Sequence, residues 1–340
     1  MGRVDEDLKR RGRRALASLR DTRGTAPSVT EPETKVEAQG SEESEVSRKL
    51  SPFDPPPLDS TAAEVPTRQL LDRPVEEPGP LLLPSVLSIA NQKGGVGKTT
   101  TAVNLGAALA EAGYRVLVVD LDPQSNASTG LGINSRDLQA SVYDVIMNDA
   151  GLDDCIEPTS LRNLFIAPAT IDLAGAEIEL VPAFSRELKL RRAVEAVRHD
   201  YDIVLVDCPP SLGLLTINGL AAADGVLVPI QCEYYALEGL GQLLRNVGLV
   251  KSNLNPVLDV RGIILTMYDA RTRLADQVVE EVRSHFGSRV YETVVPRTVR
   301  LSEAPSFGQP IIVFDSTSRG AKAYRELAKE VCRDAQRRSG

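Results

Sequence analysis

Residues 86–113 read VLSIANQKGGVGKTTTAVNLGAALAEAG, a short apolar run, then a glycine-rich loop, then a stretch with helical apolar spacing. This order is the setting of a phosphate-binding loop, where a buried strand leads into a turn and the turn opens a helix. Gly94, Gly95 and Gly97, with Val96 between them, let backbone amides turn inward without Cβ clashes. Several N–H donors and the helix N-terminus then converge on phosphate oxygens. Lys98 supplies a cation toward the β- and γ-phosphates of a bound nucleotide, Thr99 a hydroxyl suited to Mg²⁺, and Thr100 a further phosphate contact from the first helical turn. The usual G-x-x-x-x-G-K-T pattern would place glycine where this chain has Gln92, and a second lysine, Lys93, precedes the glycines. The loop is therefore a variant whose extra cation needs its own chemical reason.

Two acidic strand ends follow. Residues 118–124 read VVDLDPQ, and in parallel sheets ligands sit beyond the carboxyl ends of strands, so Asp120 and Asp122 should face the phosphates. Asp120 would hold Mg²⁺ through water or brace the loop, and Asp122 would orient the attacking water; each could instead cap the following turn. Residues 203–210, IVLVDCPP, form an apolar strand ending in one acid, so Asp207 is the candidate for the water shell of the magnesium ion. Phosphoryl transfer asks mainly for positioning and charge neutralisation, which these groups can supply.

Outward from the loop, short β-branched runs alternate with longer helical patterns. Strands are expected at 86–90, 116–120, 164–167, 203–207, 226–230, 262–267 and 290–294, several of them continuously apolar, as when helices cover both faces. Helices are expected at 99–112, 185–198, 237–251 and 274–286, with Gly113 and Gly287 placed to end the first and last. The fold class is α/β, a mostly parallel twisted sheet flanked by helices on both faces, over residues 85–340. Residues 1–84 differ: they hold 11 of the 22 prolines and Phe53 as their one Phe or Tyr, amid Ser and Glu. Such a segment cannot bury enough surface to offset its ordering entropy and is expected to be a disordered tail, with Arg10 to Arg20 a basic stretch that reads first as a solvated charge run and second as a short helix formed on an acidic partner.

Composition narrows the classes further. The net charge of -8 argues against a generally basic nucleic-acid surface, so any DNA contact must come from a local patch. No apolar run is long enough for a membrane span and no apolar signal segment opens the sequence, which points to a soluble, cytoplasmic protein. Cys155, Cys208, Cys232 and Cys332 lie 53, 24 and 100 residues apart, so they are expected to be buried thiols rather than metal ligands or a disulfide framework. His199 and His285 lack companions of metal-ligand type.

Together the runs KGGVGKTT, DLDPQSNASTGLG, VDCPPSLGLLTINGL, PIQCEYYALEGL, ILTMYDARTRLADQV and VPRTVRLSEAPSFG resemble the ParA/Soj chromosome-partitioning ATPases over residues 86–310. The resemblance implies a P-loop NTPase that uses ATP and Mg²⁺ and forms a homodimer on binding ATP. In that dimer Lys93 would reach the partner's nucleotide, while Lys98 and Asp122 serve catalysis and Asp207 the metal. It also implies that Thr266, Met267 and Pro296, Arg297 and Thr298 embrace the adenine. The ATP-bound dimer would bind duplex DNA without sequence preference, and hydrolysis stimulated by a ParB-type protein would release it, giving a nucleoid-associated protein. Arg271 and Arg300 match DNA-contacting arginines of the family; Lys251, Arg273 and Arg297 are added by nearness in sequence. One departure is Ser125, where the family commonly has glycine.

Rival readings are a MinD-like membrane cycler, an iron–sulfur electron carrier and a non-enzymatic scaffold. The first needs a C-terminal amphipathic helix with bulky apolar residues, whereas Ala321, Tyr324, Leu327, Ala328, Val331 and Cys332 make a narrow stripe suited to packing. The second needs cysteines in a glycine-rich setting that Cys208 and Cys232 lack. A scaffold would bind ATP without releasing phosphate.

Overall fold

The computed structural model describes residues 85–233 and 238–339; the tail predicted for residues 1–84, with its basic stretch, lies outside them. Eight strands form one sheet: β1 Ser85–Ile89, β2 Val116–Asp120, β3 Glu157–Pro158, β4 Leu164–Ala167, β5 Ile203–Asp207, β6 Gly225–Gln231, β7 Asp259–Tyr268 and β8 Val290–Pro296. Their order is β3-β4-β2-β5-β1-β6-β7-β8, with every neighbouring pair parallel except the short β3 against β4.

All seven expected strands are present. Strands β2 and β5 are buried at every residue, as their uninterrupted Val, Leu and Ile content requires in a sheet covered on both faces. Two apolar cores lie on the two faces, one built around Leu117, Val119, Val204 and Val206, the other around Val118, Leu205, Leu105 and Tyr324. Side chains of one strand alternate between them, which is the two-residue period of the pleat.

Five helices matter for the site: α1 Lys98–Glu111, α2 Leu214–Ala222, α3 Glu238–Asn253, α4 Arg273–Phe286 and α5 Arg319–Ser339. Gly113 and Gly287 follow α1 and α4 with φ of 99° and 53°, the left-handed turn that glycine takes without cost. Helix α2 was not expected, because LLTINGLAA is apolar nearly all round and shows no amphipathic period; it is buried between the sheet and its neighbours. The predicted 185–198 helix is a 3₁₀ turn at Arg186–Leu188 followed by a helix at Lys189–Val197.

Helix α5 packs on α1 and β8 with Ala321, Tyr324, Leu327, Ala328 and Val331 buried, so the C-terminal stripe is spent on the core. No helix among the described residues is long and apolar enough to cross a membrane. Cys155, Cys208 and Cys232 are buried free thiols that burial pushes up to about 12, while Cys332 is only partly buried.

Candidate nucleotide site

The central parallel strands β2, β5 and β1 end side by side, so Asp120, Asp207 and the loop after Ile89 meet at one edge of the sheet. Register pairs Asp120 with Asp207 and Ile89 with Asp207. The loop then turns through Gly95 and Gly97, with φ of 73° and 88°, into α1. A Cβ built on Gly94 or Gly95 would meet nothing within 4 Å, so the backbone borders open space there, as a cradle for a ligand must. Gly97 packs against Thr266, whose buried hydroxyl donates to the carbonyl of Val96 at 2.8 Å. Thr266 therefore braces the loop from β7.

Lys98 is buried and its ammonium donates to the carbonyl of Lys93 at 3.2 Å, closing the loop over itself. Burial pushes Lys98 below the ordinary lysine range, against an upward pull that comes first from Asp207. Both carboxylate oxygens of Asp207 are buried without a hydrogen-bond partner. Burial, and next the carboxylate of Asp120, hold Asp207 well above its usual range, opposed by Thr99 and Lys98. A buried, orphaned carboxylate beside a threonine hydroxyl at the head of a phosphate loop fits a hydrated Mg²⁺, which would compensate the charge. Thr99 and Asp207 would hold such an ion and help neutralise phosphate charge.

A proton is bound more tightly by Asp207 in the folded chain than in the unfolded one, so without ligands stability falls as pH rises above the ordinary carboxylate range. Asp120, raised by burial to about 6, adds to the same trend. Asp207→Asn is accordingly expected to raise the melting temperature of the ligand-free protein at pH 8, by about 2–4 °C per kcal/mol of relieved cost, and to abolish the further rise given by ATP with Mg²⁺. A lower ligand-free melting temperature would contradict the orphaned-charge reading.

Of the two roles open to Asp120, the geometry favours bracing. Its Oδ2 accepts from the amide and hydroxyl of Ser128 at 2.9 and 2.7 Å, and its Oδ1 accepts from the amide of Asp122 at 3.2 Å. Asp122 is nearly buried, and its Oδ1 accepts from the amide of Gln124 at 3.0 Å. Two positioning residues carried no sequence signal strong enough to single them out. One is Ser128; the other is Asn91, which accepts from the amide of Lys93 at 3.0 Å and donates to the carbonyl of Pro229 at 2.7 Å. Both are small polar residues whose partners, backbone groups for Asn91 and the Asp120 carboxylate for Ser128, are visible only once the strands are assembled.

The segments proposed for the base come together at the ends of β7 and β8, where Tyr268 pairs with Pro296 and the amide of Arg297 donates to the carbonyl of Tyr268 at 2.9 Å. Met267 there has φ of 53°, a left-handed backbone uncommon outside glycine and typical of functional sites. Thr298 caps the short helix Val299–Glu303 by accepting from the amide of Leu301.

The model of a family described as "AAA domain" matches residues 84–260. The sporulation initiation inhibitor protein Soj of Bacillus subtilis is 61% identical over 246 residues, 72% of this chain and 97% of that protein. This chain belongs to the ParA/Soj family. The chromosome partitioning protein ParA of Myxococcus xanthus is 55% identical over 72% of this chain and 87% of its own. Among solved structures, a cobyrinic acid a,c-diamide synthase of Mycobacterium smegmatis with bound ADP and magnesium is 42% identical, with a TM-score of 0.65 over 73% of this chain and 94% of that one.

The candidate DNA contacts do not form one group. Arg271 is exposed and holds Asp269 through a two-pronged pair at 2.8 and 2.6 Å, and Arg297 also lowers the Asp269 carboxyl. Arg273 opens α4 close by and is exposed. Arg300 lies over Phe314 and pairs with Glu303 at 3.2 Å. Lys251 is separated from them. It sits near the end of α3 and pairs with Asp259 at 3.7 Å, at the start of β7, whereas Arg271 follows the end of that strand. Ten strand residues span about 30 Å. Nearness in sequence does not bring this lysine beside the arginines, because α3 ends where β7 begins and Arg271 follows the far end of that strand.

Proposed function

We propose that this chain is an ATP-driven partitioning switch. The observation that carries the proposal is the open glycine cradle closed by buried Lys98 and flanked by the orphaned Asp207. The amides of residues 94–99 bind the phosphates, Lys98 neutralises the β- and γ-oxygens, and Thr99 with Asp207 holds Mg²⁺. A Mg²⁺ ion held by Thr99 and Asp207 would supply charge neutralisation to the phosphates. Asp122, at the next strand end, orients the attacking water. Lys93 lies at the lip of the cradle, partly exposed and only loosely paired with Glu233 at 3.9 Å, so its ammonium is able to serve a second copy's nucleotide.

ATP-bound homodimers then present Arg271, Arg297 and Arg300 twice, which doubles a small cationic patch and gives affinity for duplex DNA without base reading. The pairs of Arg271 with Asp269 and of Arg300 with Glu303 and Asp315 leave the guanidinium side exposed and contribute little, so phosphate oxygens can replace them. A ParB-type protein speeds hydrolysis and releases the DNA, which makes the protein nucleoid-associated for part of its cycle. The membrane-cycling alternative finds no support in α5, whose apolar stripe is already buried.

Phosphate release measured with and without duplex DNA and the ParB-type protein, at two salt concentrations, tests this reading. Stimulation by the two together supports it, and bound ATP with no phosphate release would favour a scaffold. Arg271→Glu combined with Arg300→Glu should weaken DNA binding at least about tenfold and make the slope of log affinity against log salt shallower by roughly 2 per chain, with ATP-driven pairing intact. Unchanged DNA affinity would discard the patch.

A further inference from the structure

The loop between β2 and the short helix Asn126–Gly130 carries Asp122 and is tied to the segment after β4 by two serines. Ser125 has φ of 53° and ψ of 31°, a left-handed backbone that favours glycine. Its hydroxyl donates to the carbonyl of Ala169 at 2.9 Å, and its amide donates to the carbonyl of Asp122 at 2.9 Å. Three residues on, the Ser128 hydroxyl accepts from the amide of Ala169 at 3.2 Å. Both backbone groups of Ala169 are thereby held by this one loop. Asp122 lies inside the tether, nearly buried, with Oδ1 taken by its own loop at Gln124.

We propose that the Ser125 hydroxyl is a latch that holds the Asp122 loop in this folded-back arrangement and slows the step that re-aims the carboxylate at the attacking water. The proposal rests on the nucleotide reading given above. A glycine at position 125 would reach the same backbone conformation but could not make the bond to Ala169. Ser128 is different: it also supports Asp120, so it holds the loop in place whether or not the latch is closed. The Ser125 hydroxyl is spent on the carbonyl of Ala169 and acts through Asp122, which makes it a positioning residue. Opening the latch exchanges one hydrogen bond for another to solvent and makes or breaks no covalent bond.

Two variants of the full chain separate the bond from the backbone conformation. Ser125→Ala deletes the hydroxyl and keeps the left-handed strain; Ser125→Gly deletes both. Each is expected to raise kcat for ATP about two- to tenfold, the equivalent of one neutral hydrogen bond, with the Kd for ATP within about twofold of the unmodified chain. A loop merely held together by Ser125 would instead lose turnover when loosened. Unchanged or lower kcat in both variants overturns the latch, as does loss of ATP binding in both, since the latch acts on turnover alone. Absence of hydrolysis by the unmodified chain, even with DNA and a ParB-type protein, would instead refute the function on which the latch rests.

Discussion

Lys98→Ala is expected to lose ATP binding by roughly a hundred- to a thousandfold or more, measured by calorimetric titration. Lys98 is the one buried lysine or arginine among the described residues, and its ammonium sits beneath the loop whose amides face the open cradle. Removing one partner of a buried charge pair costs about 3–5 kcal/mol, because the phosphate left behind is neither solvated nor neutralised. In the ligand-free protein the same ammonium is held below its ordinary range by burial, so its removal should leave the melting temperature little changed. Affinity within tenfold of the unmodified chain would refute the cradle.

The second large effect belongs to Lys93. Its amide is pinned by Asn91, while its side chain is about 39% exposed and reaches Glu233 only at 3.9 Å. An exposed pair at that separation contributes about 0–1 kcal/mol, too little to keep the ammonium from a triphosphate. Lys93→Ala should retain ATP binding, because Lys98, the amides and Asp207 remain. Turnover should fall by roughly 10³ to 10⁵, the range known for a cation supplied across an interface to a phosphoryl group. Turnover within tenfold of the unmodified chain would leave the extra lysine without its chemical purpose.

Much of the site was legible in advance because its residues have few other uses. Three glycines between an apolar strand and a helix serve close backbone approach, and the φ values of Gly95 and Gly97 show two of them turning in the conformation that glycine alone takes freely. Acids at the ends of continuous apolar strands were equally readable, since a parallel sheet gathers its strand ends at one edge. Other features were hidden for physical reasons. Helix α2 lacks an amphipathic period because it is buried nearly all round. The two-residue β3 is set by one antiparallel pairing with β4, not by its own composition. The bracing of Asp120 was hidden because its partner Ser128, which donates to it twice, lies on the next short helix and carries no signal of its own. The distance between Lys251 and Arg271 was hidden too, because the length of β7 converts twenty residues of sequence into separation along the sheet.

Ser125 shows the same limit from the other side. A serine in place of the family's glycine reads as a stiffer loop, but the bond that stiffens it goes to Ala169, forty-four residues away. That partner lies just past the end of β4 and comes alongside only when the sheet is assembled.

The proposed switch depends most on Lys93 joining two copies through bound nucleotide. Sedimentation velocity of the full chain, saturated with a non-hydrolysable ATP analogue and Mg²⁺, measures this directly. The unmodified chain is predicted to sediment as a dimer and Lys93→Ala as a monomer that still binds the analogue; an unmodified chain that stays monomeric under saturation would contradict the switch.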